Sequence, residues 1–509
     1  MGSAMPELPP LLPEQFTWHA SEKDPSILQR QAAGAESIVG MEIANKMGAN
    51  DLYLLSRIQI HKPSLTLKLL KEKLQNTLLK LRFQHPEIAC TVSWEDGKIL
   101  IQYQSPKDGA DALKWAEKSI RVEASSRTTL DIRTALEEQR EVGGGPADAA
   151  TIYLAAPVAD ETATLGDTPV ELVLYANHVF FDGISVRTFL GEIFRTLASE
   201  LSSIEPVELP WGKEKNNLDA PLFSVLGSDQ EIAGPKFDAT RLALLGNMAR
   251  MHGNWGLNKR SENVGLPRSI FHTFTPEETA NLLRAVKERL GPKYTITHLG
   301  HAAVLLSLLK TNPPPADAPE TFCVTASPVN SRRFLQEDYA KGTKTYYPVC
   351  QSTAPLLFEN ILSYDPRSCD KEQLREKLAR AAKHTKETYD FWMTQPSFLP
   401  ASVSFMSIIA AAISSGNQTP PTTPMFTSDG INDRFIPREV SNPITQEKAI
   451  TVQNVRFLLN QYMPFMSLRL DSFRDRSEVS LSYNETTYSN EDAESFLAEM
   501  VKFMMVFAE

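Results

Sequence analysis

Six residues, from His178 to Gly183, carry side chains that could do proton-transfer chemistry. The segment reads His-Val-Phe-Phe-Asp-Gly, so an imidazole, a carboxylate and a glycine lie close together. Imidazole titrates near neutral pH, and a ring held within hydrogen-bond distance of a substrate hydroxyl can take its proton as a general base. Gly183 fits a sharp turn whose backbone angles a larger residue would resist. The pattern predicts a catalytic base at His178.

The segment lies where an apolar strand gives way to an amphipathic helix. The strand is expected over Pro169–Asn177. The helix shows apolar residues at three- and four-residue spacing, namely Val186, Phe189, Leu190, Ile193, Phe194 and Leu197. A histidine at a strand end is held rigidly yet can project into a crevice, as a base must. A purely structural alternative stays open, in which His178 is buried against a neighbouring carbonyl and Asp182 caps the helix.

The length and composition of the chain bound its class. Its 509 residues exceed the usual limit for a single hydrophobic core, so two domains are expected. We divide the chain into an N-terminal domain (1–205) that carries the histidine, a crossover segment (206–267) and a C-terminal domain (268–509). The formal net charge of -10, without a dense stripe of lysine or arginine, argues against a nucleic-acid partner.

Hydrophobic periodicity predicts a mixed α/β fold in which each domain is a sheet covered by helices. In the first half, a strand over Leu52–Ile60 is followed by a helix with leucines on one face over 67–81. In the second half, Thr275 is the expected N-cap of a helix whose capping box is completed by Glu278. The crossover segment shows helical periodicity only near 242–251.

Several compartments and site types are disfavoured by the sequence. Four scattered cysteines fit a reduced cytosolic protein without disulfides, so a cytoplasmic location is expected. The longest apolar run, near 405–413, is too short to cross a bilayer, and no membrane partner is expected. His298 and His301 could share a helix face as metal ligands, but no carboxylate accompanies them, and no metal is expected.

Motifs spread over nearly the whole chain resemble the chloramphenicol acetyltransferase-like superfamily. This group includes the plant-type BAHD acyltransferases and the condensation domains of peptide synthetases. Residues 178–183 match its His-x-x-x-Asp-Gly motif in full, and residues 329–333 (Val-Asn-Ser-Arg-Arg) are similar to its short Asn/Asp-x-Arg segment. Within the superfamily, the chain resembles fungal secondary-metabolite O-acetyltransferases of the trichothecene 15-O-acetyltransferase type.

The resemblance implies two similarly folded chloramphenicol acetyltransferase-like domains with an active-site channel between them. By that analogy, His178 removes the proton of an acceptor hydroxyl, the oxygen attacks a thioester carbonyl, and coenzyme A leaves. Acetyl-CoA is the implied co-substrate. The implied acceptor is a small-molecule alcohol, such as a trichothecene-like sesquiterpenoid, and the enzyme is expected to be a monomer.

The resemblance also implies roles for the residues around the base. In the family, the motif aspartate points away from the substrate and pairs with an arginine, which here would be Arg332 or Arg333. Asp182, Gly183 and both arginines are therefore expected to be structural parts of the active site. A catalytic His–Asp dyad is the competing idea. The donor to the oxyanion is not marked by any motif, and Ser467 on a late strand is the candidate for it.

Two departures from the superfamily pattern favour the fungal branch. The Asp-Phe-Gly-Trp-Gly segment of plant-type members is missing, and the second histidine of condensation domains is replaced by Asn177. Two other functions stay open. One is a condensation-like enzyme that uses a carrier-protein thioester to form an amide or ester, and the other is a non-catalytic member of the fold.

Overall fold

The computed structural model describes residues 8–141, 146, 148–203, 208–250, 255–315, 322–414 and 421–509. Within these ranges the strands are β1 (His19–Ala20), β2 (Ile27–Gln31), β3 (Leu52–Ile60), β4 (Thr91–Glu95), β5 (Lys98–Gln104), β6 (Ile120–Ala124), β7 (Ala150–Ala156), β8 (Val170–Ala176), β9 (Pro267–Thr273), β10 (Phe322–Asn330), β11 (Gln351–Glu359), β12 (Met425–Ile431), β13 (Glu439–Ser441), β14 (Lys448–Leu459), β15 (Ser467–Phe473) and β16 (Arg476–Asn484). The helices are α1 (Ala35–Val39), α2 (Glu42–Lys46), α3 (Leu67–Gln84), α4 (Gly109–Lys118), α5 (Thr129–Glu141), α6 (Gly183–Glu200), α7 (Pro235–Ala249), α8 (Pro276–Leu290), α9 (Ile296–Thr311), α10 (Glu337–Ala340), α11 (Lys371–Met393), α12 (Phe398–Ser414) and α13 (Asn490–Ala508).

The largest sheet has six strands in the order β13-β14-β3-β8-β7-β6 and carries the histidine motif after β8. β3 pairs antiparallel with β8 on one side and with β14 on the other, where Leu52 lies opposite Leu459. Residues 439–459 therefore leave the C-terminal half and complete the N-terminal sheet. The predicted division of the chain into domains at 205 and 268 does not include this transfer of residues 439–459 to the N-terminal sheet. The division itself stays a prediction.

A second sheet, in the order β12-β15-β16-β9, forms the layer of the C-terminal half. One of its faces is apolar and packs into a core with α8, α9 and α13 through Leu468, Leu470, Val479 and Leu481. The opposite face of β15 carries Ser467 and Arg469. The Arg469 guanidinium lies 3.9 Å from the ring centroid of Phe457 on β14. The two sheets therefore meet through a partly polar layer, in agreement with the mixed α/β class expected from the sequence.

The well-marked elements are confirmed at or near their expected bounds. β3 has the predicted limits, and α3 covers the predicted leucine face. At the start of α8 the Thr275 hydroxyl accepts from the Glu278 N–H at 3.1 Å, and the Glu278 carboxylate accepts from the Thr275 N–H at 2.8 Å. α7 is longer than expected, because Pro235 occupies its first turn directly after Gly234, whose φ is 92°.

The apolar run near 405–413 lies in α12, much of which is buried. In the described ranges no single helix is long and apolar enough to span a bilayer. α11 and α12 pass that test only as a pair, bent by 96°.

Candidate active site

His178 follows β8 in a turn that Asn177 closes. The Asn177 side-chain oxygen accepts from the Val179 N–H at 3.0 Å, and its carbonyl oxygen accepts from the Phe180 N–H at 3.1 Å. The histidine is only 9% exposed, and its Nδ1 is enclosed. The carbonyl oxygens of His178 and Phe181 lie near the ring, but within the described residues no group meets hydrogen-bond geometry at Nδ1. The ring therefore lies beside two carbonyl oxygens, as the structural alternative requires, but the described residues do not fix it through Nδ1.

Burial lowers the pKa of His178 below its ordinary value. The nearby carbonyl oxygens and the Asp182 carboxylate oppose this shift, whereas the positive charge of Arg469 adds to it. A histidine with a lowered pKa is neutral at pH 7. The ring is therefore in the state that can accept a proton.

The Asp182 carboxylate is fully occupied by other partners. One oxygen accepts from the N–H groups of Ile184 and Ser185 at 3.0 and 2.9 Å, which caps α6. The other accepts from Arg332 Nη1 at 2.7 Å and from the Cys350 N–H at 2.9 Å. Burial alone would raise the pKa of Asp182, but Arg332 and these donors hold it below its usual range. This geometry favours a structural aspartate over a His–Asp dyad.

Of the two candidate arginines, only Arg332 reaches the site. Its remaining donors bond the carbonyl oxygens of Tyr346 and Pro348 at 3.0 and 3.1 Å, so the guanidinium is fixed on three sides. Arg333 is exposed, and its guanidinium lies 5.9 Å from the ring centroid of Phe334. The expectation that placed both arginines at the active site is therefore corrected for Arg333.

Gly183 is needed for space, and not for its backbone angles. It begins α6 and is not among the residues with positive φ, so the expected reason was wrong. A Cβ at this position would lie 2.9 Å from a carboxylate oxygen of Asp429 and 3.1 Å from Arg187 Nη1. Both groups approach the glycine closely, which leaves no room for a larger residue.

Arg187, Arg469, Asp429 and Asp471 form a partly buried group of two cations and two anions, here called the arginine cluster. Arg187 is 1% exposed and bonds Asp429 at 2.7 Å and Asp471 at 2.9 Å. Arg469 also pairs with Asp429. The cluster joins α6, directly after the histidine motif, to the second sheet. The sequence analysis did not predict this cluster, because its four residues come from three separate segments of the chain.

On the opposite side of the loop, Asp51 is 1% exposed and supports the backbone of His178. Its carboxylate accepts from the Tyr175 hydroxyl at 2.7 Å and from Arg140 at 3.2 Å. Arg140 also lies 3.5 Å from the buried Glu137 carboxylate. Burial raises the pKa of Asp51 to about 7 and the negative charge of Glu137 adds to this shift, whereas Arg140, the Tyr175 hydroxyl and the nearby His178 N–H oppose it. No motif marks Asp51, which is far from His178 in sequence.

Ser467 begins β15 and is 5% exposed. It lies opposite Ser482 of β16 and, two residues before Arg469, on the same strand face. The structure therefore places Ser467 in the polar layer between the sheets, and its role as oxyanion donor stays a prediction.

The histidine pair on α9 has other partners. His298 Nδ1 accepts from the Thr295 N–H at 2.9 Å, and His301 Nε2 lies 2.9 Å from the Tyr389 hydroxyl. These contacts explain both residues as parts of a capped and packed helix.

A cleft of about 600 Å³ opens between β14, β15 and β16. Asn432, Phe457 and Asp471 line it, and all three contact Arg187. The cleft therefore leads from solvent to the arginine cluster.

Comparisons with known proteins agree over the full length of the chain. A family model described as 15-O-acetyltransferase Tri3 matches residues 8–410. The chain is 37% identical to the trichothecene O-acetyltransferase TRI3 of Trichoderma arundinaceum, with 100% of both chains covered. It is 33% identical to the trichothecene 15-O-acetyltransferase TRI3 of Fusarium sporotrichioides, with 99% of both covered.

Solved structures show the same relationship. The TRI3 structure from Fusarium sporotrichioides superposes with a TM-score of 0.92 and 32% identity, covering 99% of this chain and 100% of that one. An epimerization domain of tyrocidine synthetase B superposes with a TM-score of 0.55 at 13% identity, covering 91% of this chain and 92% of that one. The second likeness concerns the fold alone.

Proposed function

The chain belongs to the 15-O-acetyltransferase Tri3 family, and we propose that it transfers an acetyl group from acetyl-CoA to a hydroxyl of a trichothecene-type alcohol. The resemblance to this family that the motifs predicted is confirmed, and the chain is an acetyltransferase. The observation that carries the proposal is a neutral, nearly enclosed His178 at a strand-to-helix junction in a chain of this family.

His178 is the proposed general base. With Nδ1 enclosed, Nε2 is the ring nitrogen that we assign to the acceptor hydroxyl. The lowered pKa keeps the ring neutral before the reaction, and a positioned base of this kind contributes roughly 10²–10⁴-fold in rate.

His178 both takes the proton from the acceptor hydroxyl and returns it to the leaving sulfur. As Nε2 takes the hydroxyl proton, the acceptor oxygen bonds the thioester carbonyl carbon, and the carbonyl π electrons move onto its oxygen. The tetrahedral intermediate then collapses, the C–S bond breaks, and the sulfur leaves with the proton from the imidazolium. The products are the acetate ester and coenzyme A, and His178 returns to its neutral state.

Asp182 and Asp51 are the proposed positioning residues. Asp182 ties the end of the loop to Arg332 and to the first turn of α6. Asp51 lies behind the loop, where the nearby backbone N–H of His178 lowers the pKa of its carboxyl group. We assign the cleft beside the arginine cluster to the entry of one substrate, because Asp471 lines it and bonds Arg187, which packs on Gly183.

The proposal is tested by thiol release from acetyl-CoA in the presence of a panel of trichothecene alcohols. We expect activity in the wild type and a loss of roughly 10²–10⁴-fold in His178→Ala. His384→Ala is the matched control, because that histidine bonds the Leu357 carbonyl oxygen in the C-terminal half. Thermal melting of each variant separates lost catalysis from lost folding.

A folded wild type that releases no thiol with any alcohol would overturn the proposed function. Full activity in His178→Ala would overturn the role of the base and leave acetyl transfer itself standing.

A further inference from the structure

Arg469 is the cation of the arginine cluster that also faces the base. Its charge acts on the His178 ring, and its Nη1 would lie 3.5 Å from a Cβ built on Gly183. Its side chain is 12% exposed, whereas that of Arg187 is 1% exposed. Arg469 therefore lies at the end of the loop that carries the histidine, next to Gly183, and is in part open to a ligand.

The two arginines of the cluster differ in how many donors they have left. Arg187 spends its Nε, Nη1 and Nη2 groups on Asn432, Asp429 and Asp471. In the part of the chain that the structure describes, Arg469 has one hydrogen-bond acceptor, Asp429, and uses only Nη1 for it. A guanidinium carries five N–H donors, so Nε and Nη2 of Arg469 remain for something else.

Arg469 is also held still. Its guanidinium stacks on the Phe457 ring at 3.9 Å, and Asp429 fixes one edge of its plane. A donor group that is fixed before the reaction costs no reorganisation when charge appears, and it acts most strongly where water is excluded.

We propose that Arg469 donates from Nε or Nη2 to the thioester oxygen as that oxygen becomes negatively charged in the tetrahedral intermediate. This inference rests on the proposed acetyl transfer and names the oxyanion donor for it. Arg469 makes and breaks no covalent bond in this step. The negative charge forms on the carbonyl oxygen as the acceptor adds, and it disappears when the C–S bond breaks. Ser467, on the same strand face, is the neutral donor against which Arg469 must be compared.

The first test measures kcat, KM and coenzyme A affinity for Arg469→Gln, Arg469→Lys and Ser467→Ala. We expect Arg469→Gln to lose about 10²–10³-fold in kcat, with little change in KM or in calorimetric binding of coenzyme A. Arg469→Lys keeps the charge and should recover part of the loss. Arg250→Gln is the matched control, because Arg250 also stacks on a phenylalanine, Phe322 at 4.6 Å, and also pairs with a carboxylate, Glu359 at 3.2 Å.

The pH profile gives a second readout. The charged groups that face His178 are Asp182 and Arg469 at its ring and Asp51 at its backbone. A nearby cation opposes protonation of the ring, so its removal in Arg469→Gln should move the acid limb of kcat/KM to higher pH. The acid limb of Arg250→Gln should stay where it is in the wild type.

A double variant separates donation from charge balance. Arg469→Gln combined with Asp429→Asn removes one charge of each sign from the cluster. If Arg469 only balances Asp429, the double variant should regain kcat, and the inference would be overturned. If Arg469 is the oxyanion donor, the double variant should stay as slow as Arg469→Gln.

Two further outcomes distinguish this inference from the proposed function. Wild-type kcat in Arg469→Gln, alongside an inactive His178→Ala, would overturn the oxyanion role alone. A wild type without thiol release would overturn both.

Discussion

Asp182 and Asp51 lie on opposite sides of the same histidine loop. Both carboxyl groups are buried, yet their pKa values are shifted in opposite directions. Asp182 lies after the histidine, is buried, and has a pKa below its usual range. Asp51 lies behind the histidine, is equally buried, and has a pKa raised to about 7. Each carboxylate has an arginine partner, so the presence of an arginine does not explain the difference.

The donors around each acid and a like charge beside Asp51 explain it. Arg332 bonds the Asp182 carboxylate directly, and three backbone N–H groups complete the shell of that carboxylate. Arg140 is shared between Asp51 and the buried Glu137. Desolvation therefore dominates at Asp51 and is outweighed at Asp182. The comparison teaches that one side of the loop is a fixed anion, whereas the other side titrates near neutral pH.

The largest loss of stability is expected when Asp182 loses its arginine partner. Arg332→Ala leaves the Asp182 carboxylate buried without its ion pair, and the free energy of unfolding should fall by about 3–5 kcal/mol. Arg333→Ala is the matched control, because that exposed side chain should change stability by less than about 0.5 kcal/mol. Urea denaturation of both variants checks this. Equal losses in the two variants would show that the Asp182–Arg332 pair does not anchor the loop.

The raised pKa of Asp51 should make the free energy of unfolding depend on pH. Between the unfolded pKa of 3.8 and the folded pKa of about 7, folded Asp51 keeps a proton that the unfolded chain releases. Its contribution to stability is therefore present at low pH and is lost as the pH rises through this window. Relative to Asp51→Asn, the wild type should lose about 2–3 kcal/mol between pH 5 and pH 7.

Urea denaturation of the wild type and Asp51→Asn at several pH values measures this difference. The difference between the proteins is used because other buried acids also titrate there, such as Glu87, with a pKa of about 8, and Asp219, with a pKa of about 6. Parallel pH curves for the two proteins would refute a raised pKa at Asp51.

A smaller loss of stability is expected when Gly183 is replaced, because other side chains approach it closely. Gly183→Ala places a methyl group 2.9 Å from the Asp429 carboxylate, which must shift together with Arg187. Overpacking of this kind costs about 1–3 kcal/mol. Thermal melting gives the stability, and Gly246→Ala on α7 is the control, because a Cβ there meets nothing within 4 Å. A Gly183→Ala protein as stable as this control would show that the space is not needed.

The sequence predicted the parts of the molecule whose signals are local. The strand before His178, the helix after it and the capping box at Thr275 each depend on residues within one turn or one alternation. The family motif predicted that Asp182 pairs with an arginine, which proves to be Arg332. The reason given for Gly183 was wrong, because a sequence does not show which distant side chains approach a glycine.

The missed parts depend on contacts between distant segments. Asp51 and Arg469 reach the histidine only through the sheets, and neither stands in a motif. β14 was missed because Gln453 and Asn454 interrupt its alternation, where the pairing with β3 also shifts register. The sequence also predicts a flexible loop at residues 143–146 and an exposed, turn-rich loop at residues 417–424, and both lie partly outside the described residues.

The pairing of β3 with β14 delays completion of the six-stranded sheet during translation, because the two strands are far apart in sequence. β3 ends at Ile60, but its partner Ile450 is translated roughly 20–80 s later at the usual 5–20 residues per second. During that interval the nascent chain carries an unpaired edge strand beside β8, which is open to pairing with other chains. We therefore expect the histidine loop to reach its final geometry only at the end of synthesis, and nascent chains stalled before β14 to depend on chaperones.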